Sequence, residues 1–243
     1  MDVLTDHLTE ARSAHRRNDW RASYAAFVRA DGVGTMALDD LDAYAAAAWR
    51  LGHGREAVRL AERVFRELVR ADPGAAGHKA TLVGLEWLAR GHDAVARGWA
   101  DRARVLLVDV PTTSGQGYLA YLDAATAIAA ADGPALAEAT VMLRDNAVRS
   151  GDAALAVLSR VVEGVSALLE SRAHAGYRLL DEALLPVVDE RVPLEWAGDV
   201  YRIVLDVGTR QADHDHVVVW GQSMRRWCDM TGVAPELISG PHR

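Results

Sequence analysis

The sequence predicts an all-α fold, a superhelical stack of about six antiparallel helix pairs. Three observations predict it. Long segments carry apolar residues at helical spacing, no segment shows the apolar–polar alternation of a strand, and small residues recur at a regular interval. Because no change in composition marks a boundary, we expect one domain over residues 1–243.

The helical spacing is clearest in residues 55–74, REAVRLAERVFRELVRADPG. Charged residues fill one side of this segment, and apolar residues recur at intervals of three and four on the other: Val58, Ala61, Val64, Phe65 and Leu68. Pro73 and Gly74 follow where such a helix should end. The segment therefore predicts an amphipathic helix with one buried face.

A repeat of about 40 residues is marked by residues that follow short polar turns. These positions are 34 to 41 residues apart: Ser23, Ala57, Ala96, Ala137, Gly176 and Val217. Two antiparallel helices of four turns and two loops need about 40 residues, and small side chains let the paired helices approach closely. The repeat predicts helix pairs at 3–29, 38–71, 75–109, 114–150, 152–188 and 194–231. The sixth pair is expected to cap the stack, because Leu205 and Val217 replace small residues there.

Residues at the expected helix ends support these boundaries. Three prolines stand where helices should begin, a position that proline tolerates: Pro111, Pro134 and Pro193. Asp39 or Asp40 is expected to accept hydrogen bonds from the first backbone N–H groups of the third helix. Pro186 falls inside a helical segment, which it should kink or end.

Composition bears on location and partners. The chain has 27 basic and 34 acidic residues and a net charge of -7, which argues against binding nucleic acid phosphates. No uncharged apolar run approaches 18 residues, so no membrane segment is expected. The single cysteine, Cys228, excludes an intrachain disulfide, and the acidic N-terminal segment is unlike a signal peptide. A cytoplasmic location is therefore predicted.

Several segments carry a resemblance to a known family: NDWRASYAAFVRAD, LGHGREAVRLAERVF, ARGHDAVARGWADRARVLL, LLDEALLPVV and MRRWCD. They resemble the tetratricopeptide-like region of actinobacterial LuxR-type transcription regulators, from about residue 8 to 230. In that family the region stands beside a DNA-binding helix-turn-helix module. Because only a short segment follows MRRWCD, that module is not expected here, and the resemblance implies a sensor or adaptor that does not bind DNA directly.

The segment QADHDHVVVW, residues 211–220, raises the question of a metal site. His214 and His216 are two residues apart, so on a helix their rings point about 200° apart, whereas zinc-binding helices use a spacing of four. Cys228 lies about three turns further along. We predict a helix start stabilised by Asp215, and no metal or other cofactor.

No catalytic residue is predicted from local motifs. The glycine-bearing segments GHGRE and PTTSGQGY are not followed by a phosphate-loop lysine, and no G-x-S-x-G motif occurs. Adjacent carboxylates such as Asp181 and Glu182, or Asp189 and Glu190, are expected at turns or on charged faces. An enzyme built from residues distant in sequence stays open, and its first candidates are His78, His92, Tyr118, Tyr121 and Tyr201.

The predicted binding surface is the concave wall that the first helix of each pair forms in tetratricopeptide repeats. The repeat register places eight partner-binding candidates there: Arg12, Arg16, Asp42, Trp49, Arg50, His78, Thr81 and Leu85. Tryptophan and arginine dominate binding hot spots, which favours Trp49 and Arg50 as anchors. Arg12, Arg16 and Arg50 together would suit an acidic peptide or a carboxylate ligand.

The leading hypothesis is a non-catalytic, regulatory or adaptor scaffold that binds a protein or peptide partner, or an acidic ligand, in its concave groove. The alternative is a small-molecule-sensing or catalytic helical bundle whose pocket assembles from distant residues. A homodimer formed through the sixth pair, with Trp220 and Trp227, is a further hypothesis.

Overall fold

A computed structural model describes residues 3–110, 113–189 and 191–239. Within these ranges the chain forms thirteen helices and no strand, which confirms the all-α prediction. The helices are α1 Val3–Arg16, α2 Trp20–Asp31, α3 Leu38–Arg50, α4 Gly54–Ala71, α5 Pro73–Ala89, α6 Asp93–Leu107, α7 Thr113–Ala130, α8 Gly133–Ser150, α9 Ala153–Leu169, α10 Ala173–Val188, α11 Leu194–Arg210, α12 His214–Thr231 and α13 Glu236–Ser239.

Consecutive helices pack as pairs, α1 with α2 through α11 with α12, as the repeat predicts. Each pair is joined by a short turn, so its helices run antiparallel. The predicted ranges agree with the pairs to within two residues at every end. Only the four-residue α13 was not predicted.

Small residues lie at most of the helix crossings that the repeat marks. Gly164 of α9 faces Gly176 of α10: a Cβ atom on Gly176 would lie 2.9 Å from the Gly164 carbonyl oxygen. The prediction is wrong for Ala137, which is exposed because α8 buries Leu136 and Ala139 instead. In the sixth pair the close approach is made by Gly208, which was not predicted, and a Cβ atom there would lie 2.9 Å from a Val217 methyl group.

Aspartates cap several helices, but at other positions than the sequence predicts. α3 begins at Leu38 without a side-chain cap, and Asp40 is buried in an ion pair with Arg12. At the start of α12 the cap is Asp213, whose carboxylate accepts a hydrogen bond from the His216 amide, while Asp215 lies in the first helical turn.

The prolines lie at or near helix ends. Pro134 is in the first turn of α8, Pro193 directly precedes α11, and Pro186 lies two residues before the end of α10. Pro186 therefore lies inside the last turn of its helix, which continues to Val188. Pro111, Glu190 and Thr112 of the PTTSGQGY segment lie outside the described residues.

The sixth pair folds back onto the earlier ones. α11 packs against the first helices α5 and α9, and its Trp196 and Asp199 contact α7 through Tyr118 and Tyr121. The chain after α12 then reaches α3, where the Ala234 amide donates a 2.8 Å hydrogen bond to the Arg50 carbonyl. The surface formed by the first helices is thus partly covered by the chain's own C-terminal helices.

Candidate binding cavity

A cavity of about 570 Å³ lies between the α3–α4 turn, α5 and the C-terminal helices α11 and α13. We call it the Trp49 cavity. Its apolar lining consists of Trp49, Leu85, Ala89, Leu237 and Ile238. Its charged lining consists of Arg55, Glu56, Arg59, Glu86, Arg90, Glu195, Asp199, Arg202 and Glu236. The lining therefore combines an apolar surface with charges of both signs.

The Trp49 indole is fixed by contacts on two sides. It is 6% exposed, and its Nε1–H donates a 2.7 Å hydrogen bond to Oε1 of Glu86. Arg90 binds the other Glu86 oxygen at 2.6 Å. On α11, Gly198 leaves room for the ring, since a Cβ atom there would lie 3.3 Å from it. The cavity thus presents a rigid aromatic wall.

Two further carboxylates of the cavity already have donors from this chain. Glu56 accepts hydrogen bonds from the hydroxyls of Tyr24 and Tyr44. Burial, together with the Glu56 contact, raises the pKa of Tyr24 to about 12, so this hydroxyl stays protonated as a donor. Asp199 accepts hydrogen bonds from the Tyr121 hydroxyl and from Arg202 Nε, both at 2.8 Å. Through these hydrogen bonds Glu56 and Asp199 fix side chains that surround the cavity.

Arg55 and Arg59 differ from the other two cations of the cavity, Arg90 and Arg202, which are paired with Glu86 and Asp199. Arg55 and Arg59 are both exposed, one turn apart on α4, and neither makes an ion pair with a residue in the described ranges. Residues four apart lie on the same helix face, so the two guanidinium groups flank the same opening. They are available to an external carboxylate.

The structure brings two of the eight predicted site residues together here, Trp49 and Leu85. Asp42 lies beyond Trp49, along a narrow crevice of about 100 Å³, and forms a 2.6 Å ion pair with Lys79. Thr81 is fully buried, and its hydroxyl donates to the carbonyl of its own helix at Gly77.

The remaining predicted residues lie elsewhere. Arg12 is bound by both oxygens of Asp40, while Arg16 is exposed and makes no ion pair with any described residue. Arg50 stacks on the Trp20 ring, with its guanidinium carbon 4.2 Å from the ring centroid, and lines a different cavity. The predicted site did not include Arg55, Arg59 and Leu237, because the prediction was made only for the first helix of each pair.

His78 is packed under α11 between aromatic rings. Its imidazole centroid lies 4.7 Å from Tyr118 and 5.7 Å from Trp196. Burial, and to a smaller extent the charge of Lys79, lowers the pKa of His78 to about 4. The imidazole is therefore neutral in the folded protein at neutral pH.

We expect His78 to make the protein acid-sensitive. Its pKa is about 4 when folded and near 6.5 when unfolded, so the unfolded chain takes up the proton first as the pH falls. The stability present above pH 6.5 is then lost as the pH falls toward 4. His78→Gln should remove about 2 kcal/mol of this loss. Urea unfolding between pH 7 and 4.5 measures it, and parallel curves for wild type and variant would contradict the assignment.

The other candidates for chemistry occupy structural positions. His92 is exposed beside Trp87, and the Tyr201 hydroxyl pairs with Ser223. His216 stacks on Tyr177 with ring centroids 4.1 Å apart. In the part of the chain that the structure describes, no cluster of three or more His, Cys, Asp or Glu residues could hold a metal ion. No described helix is long and apolar enough to cross a membrane.

No family model, curated protein or solved structure matches the chain. The resemblance to LuxR-type regulators therefore stays a prediction. Function has to be argued from the geometry of the cavities.

Proposed function

We propose that this protein is a non-catalytic tetratricopeptide-like scaffold that binds a short segment of a protein partner, or an acidic small ligand, in the Trp49 cavity. The observation that carries the proposal is that two exposed arginines, Arg55 and Arg59, line the cavity beside the rigid aromatic wall and make no ion pair with a described residue. A regulatory or adaptor role in the cytoplasm accords with this chemistry and with the single, buried thiol.

The expected binding mode has a polar and an apolar part. A carboxylate of the ligand accepts charge-assisted hydrogen bonds from Arg55 and Arg59. An apolar side chain of the ligand then packs on Trp49, Leu85 and Leu237, which line the same cavity. Because Glu86 and Gly198 already hold the indole in place, little free energy is spent on ordering it.

A peptide array tests this proposal. Arrayed peptides that pair one Asp or Glu with a neighbouring apolar residue should bind the wild-type chain. The double variant Arg55→Gln/Arg59→Gln should bind them at least about tenfold more weakly, because a charge-assisted hydrogen bond contributes about 1.5–3 kcal/mol. Both arginines are exposed, so the fold should be unchanged.

Arg70→Gln is the matched control, because Arg70 is exposed on the same helix and does not line the cavity. It should bind the peptides like wild type. Equal loss in the control and the double variant would mean that general charge attraction dominates, and the proposal would fail. Binding of free dicarboxylates with no binding of peptides would favour the small-ligand form of the proposal.

A further inference from the structure

The narrow crevice beyond Trp49, of about 100 Å³, adjoins the Trp49 cavity. Four residues line both spaces: Trp49, Leu85, Glu86 and Glu195. The crevice lies between α3, α4 and α5, and we call it the alanine crevice because its lining includes Ala45, Ala46, Ala57 and Ala61. A ligand in the Trp49 cavity can therefore extend an apolar group into a second space.

Short side chains keep the alanine crevice open. Ala57 is one of the small residues that the repeat marks, and Ala46 and Ala61 are half-buried on the paired helices α3 and α4. An apolar cavity of about 150 Å³ holds a benzene molecule, so a crevice of about 100 Å³ takes an aliphatic group of about three or four carbons. That is the size of a valine or leucine side chain.

Four charged groups line the alanine crevice, and three of them are already paired. Asp42 binds Lys79 at 2.6 Å, and Glu86 binds Arg90 at 2.6 Å. The fourth is Glu195, which is half-buried in the first turn of α11 and makes no hydrogen bond or ion pair with any described residue. Its carboxylate is therefore the free charge at the junction of the two spaces.

The surroundings of Glu195 leave its oxygens available to a cation. The charges of Glu195 and Arg50 interact only from beyond ion-pair distance, because the Arg50 guanidinium packs on Trp20 and lines neither space. The helix dipole stabilises a carboxylate in the first turn of a helix without occupying its hydrogen-bond positions. Both oxygens of Glu195 can therefore accept charge-assisted hydrogen bonds from an ammonium group.

The free charges of the two spaces have opposite signs. Arg55 and Arg59 flank the opening of the Trp49 cavity, and Glu195 lies where that cavity meets the crevice. Glu236 also makes no ion pair with a described residue, but it is exposed on α13 and does not line the crevice. A ligand with an ammonium and a carboxylate group matches both signs, whereas a purely acidic ligand would meet Glu195 as a like charge.

The position of the apolar space indicates which kind of ammonium group fits. In a peptide the α-ammonium group and the first side chain leave the same Cα atom, so the amine can meet Glu195 while the side chain enters the crevice. A lysine side chain carries its charge at the far end of its aliphatic chain. Its entry would bury the ammonium group among the alanines, away from Glu195, at a high cost in solvation. The arrangement therefore favours an N-terminal residue.

We infer that the segment bound in the Trp49 cavity is the free N-terminus of a partner chain that begins with an aliphatic residue of valine or leucine size. Glu195 binds the α-ammonium group, which is mostly protonated at pH 7, and the alanine crevice takes the first side chain. Arg55 and Arg59 bind a carboxylate further along the segment. This inference rests on the proposed function and adds to it which end of the partner is bound.

Calorimetric titration of the full chain with two soluble tripeptide amides tests the role of Glu195. Both peptides contain leucine, alanine and glutamate in that order, and only one of them is N-acetylated. The wild type should bind the free peptide about tenfold more tightly, because acetylation removes a charge-assisted hydrogen bond. In Glu195→Gln the two peptides should bind with similar affinity. Glu236→Gln is the matched control and should keep the preference for the free amine.

A change of the first residue tests the alanine crevice. The free peptide that begins with leucine should bind the wild type at least about tenfold more tightly than the one that begins with glycine, because the leucine side chain is buried. Ala46→Leu fills the crevice, so it should lose this preference and still bind the glycine peptide like the wild type. Ala43→Leu is the matched control, because Ala43 is half-buried on the same helix and lines neither space.

The outcomes separate this inference from the proposed function. Equal affinity of the wild type for the free and acetylated peptides would overturn the inference, and so would a preference for the free amine that persists in Glu195→Gln. A preference for leucine that persists in Ala46→Leu would also overturn it. If Arg55→Gln/Arg59→Gln still weakened binding in these cases, the proposed function would stand. Binding of neither peptide to the wild type would overturn the inference, and the peptide array would then decide the proposed function separately.

Discussion

Replacing Trp196 with alanine is expected to lower the free energy of unfolding by about 4 kcal/mol. Trp196 is 1% exposed and lies on α11, where its ring centroid is 4.5 Å from that of Tyr118 and 5.8 Å from that of Tyr121. The indole therefore fills the space between α11 and the first helices. Its loss leaves a cavity that the surrounding helices cannot close, as urea unfolding should show.

Trp87→Ala is the matched control for this prediction. Trp87 is only partly buried, and its Nε1–H donates to Glu62, away from α11. We expect a loss of about 1–2 kcal/mol there, because less surface is buried and the carboxylate remains solvated. If Trp196→Ala lowered the free energy of unfolding by no more than Trp87→Ala does, the Trp196 contacts would not be what anchors α11 on the earlier helix pairs. Hydrogen exchange should separately show α11 amides losing protection in Trp196→Ala.

The helix pairs were predictable because their signal is local. A period of about 40 residues, helical spacing of apolar residues and short polar turns fix the pairs with no knowledge of the tertiary fold. The exception at Ala137 has the same origin. Ala137 was predicted to be buried from its distance to the preceding turn. The residues of α8 that are buried instead lie on the helix face that Leu136 and Ala139 share.

The return of α11 onto the earlier pairs could not be predicted in this way. The contact that anchors it joins Tyr121 to Asp199, which are separated by 78 residues. Nothing in the spacing of either segment indicates the other. An open groove was therefore the natural expectation, whereas the described residues form cavities that are bordered by C-terminal residues.

The site prediction was limited for a related reason. Trp49 and Arg50 were grouped because they are adjacent and both suit a binding surface, but the C-terminal segment places them in different cavities. Arg55 and Arg59 lie on a second helix, and their role in the proposed site depends on what faces them across the cavity. Sequence spacing within one helix cannot supply that information.

Gly176→Val is expected to lower the free energy of unfolding by about 3 kcal/mol. A Cβ atom at Gly176 would lie 2.6 Å from a Leu168 side-chain carbon and 2.9 Å from the Gly164 carbonyl oxygen. The leucine can rotate away, but the carbonyl belongs to the backbone of α9. The two helices must therefore separate, and apolar contacts along the whole pair weaken.

A second variant distinguishes these two causes of strain. Gly176→Val/Leu168→Ala removes the side-chain clash and keeps the backbone one, so it should stay well below the single variant Leu168→Ala in urea unfolding. Gly98→Val is the matched control, because Gly98 lies inside α6 and a Cβ atom there meets only the end of the Arg102 side chain, at 3.6 Å, and it should change the stability by no more than about 0.5 kcal/mol. A double variant as stable as Leu168→Ala alone would show that the leucine side chain was the only obstacle. It would then refute the idea that small residues set the distance between paired helices in this stack.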